Sequence, residues 1–84
     1  MDIAHTTAAE RIARVITAHQ LSANADGSST SAGGYVDERW REHLGEALAI
    51  LNTLREPDQA MAAAGDPAIW ARMIDTAIAQ AEGV

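Results

Sequence analysis

Residues 66–83, DPAIWARMIDTAIAQAEG, decide how this chain is read. Asp66 has the short acceptor side chain that caps a helix start, and Pro67 brings the fixed φ that suits a first helical position. Ile69, Trp70, Met73, Ile74, Ala77, Ile78 and Ala81 then recur at steps of three and four, tracing one stripe along a helix. Gly83 marks the stop. The pattern predicts an amphipathic helix over about 67–82. No segment shows the two-residue alternation of a strand, so the fold class that follows is all-α.

The same grammar repeats upstream. Pro57 is placed to open a short helix over 57–64, with Gly65 as its stop. A residue before proline is pushed out of the helical region, so the preceding helix must close at Glu56. That helix is predicted over about 37–56, with Asp37 as its N-cap. Trp40, Leu44, Ala47, Leu48, Leu51 and Leu54 form its seam, and Glu38 near its start favours the helix dipole.

Thr7-Ala8-Ala9-Glu10 reads as a capping box, in which Thr7 accepts from the amide of Glu10 and Glu10 reaches back. Ile12, Val15, Ile16 and His19 follow on one face, which predicts a first helix over about 7–21. Residues 22–34, SANADGSSTSAGG, contain no large apolar side chain and are rich in turn formers. They read as a flexible loop, either a mobile linker or a ligand lid.

These elements predict a small three- to four-helix hairpin or bundle. The 37–56 and 67–82 helices pack antiparallel, with 57–64 as the corner. The first helix either closes the bundle or reaches across to a second subunit. The expected core is Ile12, Val15, Ile16, Trp40, Leu44, Leu48, Leu51, Leu54, Met61, Ile69, Trp70, Met73, Ile74 and Ile78. An 84-residue chain is one small domain near the stability margin, and it has no cysteine for a disulfide or thiolate metal site. Completion of the core by homo-oligomerisation is the remaining remedy.

Nineteen alanines and no lysine stand out in the composition; all six basic residues are arginines, set against twelve acids for a formal charge of −6. That balance argues against duplex nucleic acid, which needs a basic face to displace counterions. Residues 57–84 are the most acidic third, with four acids and one arginine. There is neither a signal-peptide pattern nor an apolar stretch of membrane-spanning length, so the expected location is cytoplasmic.

Catalytic signatures are lacking. The serines of the 22–34 loop have no base beside them, its glycines match no phosphate-loop spacing, and no enzyme activity, cofactor or metal is expected. His43 and Glu46 have the i, i+3 spacing of two ligands on one helix face, but a complete site needs more, and the simpler reading is a polar flank of the seam. The richest patch is Tyr35-Val36-Asp37-Glu38-Arg39-Trp40-Arg41. Arginine beside aromatic rings suits stacking on a base while pairing with its phosphate. In the plainer alternative Trp40 is core, Tyr35 covers it, and the arginines pair with nearby acids. Arg11 and Arg14, three apart on one helix, could join Arg39 or Arg41 of a second subunit in a composite anion pocket. The candidate ligand-binding residues are therefore Tyr35, Arg39, Trp40, Arg41, Arg11 and Arg14.

The run Leu48-Ala49-Ile50-Leu51-Asn52-Thr53-Leu54-Arg55-Glu56-Pro57-Asp58-Gln59-Ala60-Met61 and the run Trp70-Ala71-Arg72-Met73-Ile74-Asp75-Thr76-Ala77 carry a resemblance. With Arg11-Ile12-Ala13-Arg14 and Trp40, they resemble a group of small uncharacterised proteins of alphaproteobacterial phages and prophages. Those proteins share an A-x-x-x-L-x-x-L-R-E-P-x-x-x-M run and a W-x-x-M-I-D-x-A ending. The resemblance implies a viral or mobile-element origin and carries over no functional residue.

Two functional expectations follow. The first is a non-enzymatic anti-defence protein that sequesters an anionic nucleotide, such as a cyclic immune signal, in a pocket between subunits of a homo-oligomer. The second is an acidic interaction inhibitor or adaptor that docks on a basic host or phage protein.

Overall fold

The computed structural model describes residues 3–24 and 32–83, and all regular structure in them is helical. The elements are α1 (Ala8–Asn24), α2 (Ala32–Arg39), a 3-10 turn (Trp40–His43), α3 (Leu44–Leu54), α4 (Gln59–Ala64) and α5 (Pro67–Glu82). Residues 25–31 of the expected 22–34 loop lie outside the described residues. Its two ends are helical rather than loop: Ser22, Ala23 and Asn24 continue α1, and Ala32, Gly33 and Gly34 begin α2. Weak helix formers such as Ser and Asn tolerate the end of an established helix, and the first strong breaker after Leu21 is Gly27.

Helix α1 starts on Thr7, whose Oγ1 accepts from the Glu10 amide at 3.1 Å. The Glu10 carboxylate does not reach back. It binds Arg14 Nε at 2.8 Å, so only half of the capping box forms.

The expected 37–56 helix is interrupted. Asp37 lies inside α2 rather than capping it, and its carboxylate crosses to α1. Arg39 and His43 depart from α geometry (φ −118° and −106°), and the chain between them tightens into the 3-10 turn. This bend lets α2 and α3 both pack on α1, with Trp40 at the pivot.

Asp58, not Pro57, starts α4, accepting from the Met61 amide at 2.9 Å. Proline sits one residue ahead of the cap, so α4 is shorter than the expected 57–64. Asp66 caps α5 through the amides of Ala68 and Ile69, Pro67 is its first residue, and the Gly83 amide closes on Ala79. Here the sequence grammar and the structure agree.

The beginning of α5 lies beside the end of α3: Trp70 Nε1 donates to the Leu54 carbonyl at 2.6 Å, and Arg55 pairs with Asp75 at 2.8 Å. The first half of α5 therefore sits against the end of α3, and α1 packs against both helices. The centre is made of small side chains. Among the described residues, Ala9, Ala13, Ala47, Ala77 and Ala81 are buried, with only Trp40, Leu51 and Ile74 as large apolar members. Buried Thr17 satisfies its hydroxyl on the Ala13 carbonyl at 2.7 Å.

This corrects the expected core. Ile12, Leu44, Leu48, Trp70 and Ile78 pack partly buried around the centre, and Ile16 is half-buried. Val15 (68 % exposed), Met73 (63 %), Ile69, Leu54 and Met61 are exposed. In α1 the inward residues are Ala9, Ala13 and Thr17, at steps of four. Their small side chains let neighbouring backbones approach closely, and that turns the larger Val15 outward.

Candidate binding surfaces

The aromatic and arginine residues of the candidate site form two small clusters. In the first, the Arg14 guanidinium carbon lies 5.5 Å and that of Arg41 lies 4.4 Å from the centroid of the Trp40 ring. Trp40 itself is only 6 % exposed, so its faces are occupied by protein. Arg14 also binds Asp37 Oδ1 at 2.7 Å and Glu10 Oε2 at 2.8 Å. The hydrogen bonds that Arg14 donates, to Asp37 first and then to Glu10, hold its guanidinium above its usual proton affinity. With two carboxylates on it, Arg14 is electrostatically satisfied.

In the second cluster, Arg39 lies over the half-buried Tyr35 ring at 5.1 Å and approaches Glu42 at 3.9 Å. Both residues belong to α2, four apart, and therefore share one helix face. Arg11 stands apart from both clusters. Arg14 turns toward α2, whereas Arg11 is exposed beside the groove between α1 and α3, and no described carboxylate pairs with it. The structure thus brings Arg14, Trp40 and Arg41 together, and Tyr35 with Arg39, but not all six residues in one chain.

His43 Nδ1 and Glu46 Oε1 lie 2.8 Å apart, as a hydrogen-bonded pair. Among the described residues no group of three His, Cys, Asp or Glu could hold a metal ion. No described helix is long and apolar enough to cross a membrane.

Two apolar surfaces escape the sequence reading. One is a cleft of about 370 Å³ at the α4–α5 corner, lined by Pro57, Met61, Ala64, Gly65, Asp66, Pro67, Ile69 and Trp70. Asp66 is its one charged lining residue, and Asp58 is adjacent in sequence to Pro57. The other is a groove of about 450 Å³ between α1 and α3, lined by Ile12, Val15, Ile16, Ile50, Leu51 and Leu54 with Arg11. The signal for the first cleft lies in the two prolines. Pro57 stops the helix before it and Pro67 opens α5, and the corner between them leaves Met61 and Ile69 exposed.

Comparison with protein-family models, curated proteins and solved structures gives no match.

Proposed function

We propose that this protein is a non-enzymatic interaction module, an inhibitor or adaptor, that docks a basic segment of another protein in the α4–α5 cleft. The observation that carries this reading is a cleft lined by Met61, Ile69 and Trp70, with a carboxylate and no cation in its lining. An amphipathic helix bearing a large apolar anchor beside Lys or Arg fits that chemistry. The anchor fills the cleft, and the basic side chains meet Asp58 and Asp66. The overall acidity of the chain steers such a partner toward it. A phage or prophage origin and a cytoplasmic site of action accord with this role.

The test is affinity capture from an extract of cells in which the protein functions, with the wild type and with Met61→Asp. Met61 is exposed, so the variant retains the fold. The expected result is a protein held by the wild type, released by salt well above about 0.15 M, and absent with M61D. Capture indifferent to Met61 contradicts the reading.

One observation favours the nucleotide reading as a second possibility: Tyr35 and Arg39 stand together on the surface of α2. There a base stacks on Tyr35 while Arg39 meets a phosphate. Binding of a cyclic dinucleotide that raises Tm, and fails to do so with Tyr35→Ala, supports it. Identical melting with and without a panel of cyclic nucleotides removes it.

A further inference from the structure

The groove between α1 and α3 is a different surface from the α4–α5 cleft, and its geometry names its occupant. Val15 stands 68 % exposed, with Ile50 and Leu54 also exposed along α3. Beneath them the core consists mostly of alanine.

Charge then distinguishes one partner from others. The contacts of Arg14 with Asp37 and Trp40 place the middle of α1 near the start of α3, and Ala8 and Ile12 share the groove with Leu51 and Leu54. The two helices are therefore antiparallel. Arg11 precedes Val15 by one turn on α1, and Glu46 precedes Ile50 by one turn on α3. Hence Arg11 and Glu46 mark opposite ends, and opposite rims, of one apolar strip. Arg11 has no described carboxylate partner, and the Glu46 side chain is 58 % exposed, bound only by the His43 ring. A two-fold axis lying in this face, perpendicular to the line from Arg11 to Glu46, exchanges the two positions. Each Arg11 then faces the partner's Glu46, and Val15, Ile50 and Leu54 of the two copies meet between the charges.

We infer that the α1–α3 face is a self-complementary dimer interface, closed by two symmetric Arg11–Glu46 ion pairs. Such an isologous contact consumes the same patch on both copies and stops at two. A core this thin needs cover whenever the chain is folded, and a second copy is the partner always present.

The experiment is sedimentation equilibrium of the full chain, with Val15→Glu, R11E and the charge-swapped double variant R11E/E46R. The wild type is expected at twice 8.9 kDa. V15E sediments as a monomer with its helical circular dichroism retained, since Val15 is exposed. R11E sets like charges face to face and weakens dimerisation at least about tenfold, and adding E46R restores it. A wild-type monomer at every concentration, a dimer unchanged by V15E, or a double variant no better than R11E overturns the inference. Met61→Asp leaves the mass unchanged, so failure here is separable from failure of the docking role.

Discussion

Asp37 Oδ1 holds the Arg14 guanidinium at 2.7 Å, tying α2 to α1 across 23 residues of sequence. The same guanidinium binds Glu10 and lies over Trp40, so one side chain joins the start of α1, α2 and the 3-10 turn. Substituting Arg14 or Asp37 by Ala is expected to lower Tm. The double variant should lose less than the sum of the two, because each single change already breaks the pair. The raised proton affinity of Arg14 fixes the sign of the pH dependence. Its contribution is full at neutral pH and fades only as strongly alkaline pH strips the guanidinium of its proton. Melting curves of the four proteins, and of wild type against Arg14→Ala from neutral to moderately alkaline pH, check this; a gap that closes within that range contradicts it.

The alanine centre sets a sharp contrast within α1. Ala13 has no exposed surface and Val15 is largely exposed. Ala13→Leu therefore overpacks the junction of α1 with its neighbours and is expected to cost about 3 kcal/mol. Val15→Ala removes a larger side chain yet costs less than about 0.5 kcal/mol in the isolated chain. Urea unfolding of the two variants in the R11E background, where dimerisation is weakened, decides the matter, and a ranking in the opposite order refutes the alanine-centred packing.

Gly45 lies in the first turn of α3, and a methyl group built on it meets nothing within 4 Å. Gly45→Ala gains helix propensity without a steric cost. It is expected to stabilise the chain by up to about 1 kcal/mol, read as a rise in Tm. A fall in Tm would reveal a close neighbour on that face.

Asp66 accepts from two amides of the first turn of α5. Asp66→Ala is expected to cost about 1 kcal/mol, while Asp66→Asn or Asp66→Ser recovers most of it. Equal losses for all three would mean that charge, not capping, is what the position supplies.

The boundaries of α5 were legible because Asp66, Pro67 and Gly83 each act through local chemistry that no distant contact overrides. The break between α2 and α3 was not legible. Residues 35–50 contain no proline, and the one glycine, Gly45, lies after the bend, so the 3-10 turn arises from packing Trp40 onto α1. In α1 the large residues Ile12, Val15 and Ile16 suggested the inward face, but alanines at steps of four won because they bring the helices closer. The pairing of Arg39 with Tyr35 and of Arg41 with Trp40 could be read from neighbouring positions. The Arg14–Asp37 bridge and the α4–α5 cleft could not, since each depends on elements folding back on one another.

The docking role can be tested most directly through the methionine methyl groups, of which the chain has three, Met1, Met61 and Met73. Carbon–proton spectra of labelled protein are recorded during titration with a synthetic amphipathic helix carrying leucine anchors flanked by arginine, and with the same peptide carrying glutamate in place of arginine. The basic peptide is expected to move the Met61 signal in a saturable manner and to leave Met1 in place, and the acidic peptide to move neither. An unmoved Met61 signal, or equal movement with the acidic peptide, would contradict the docking role.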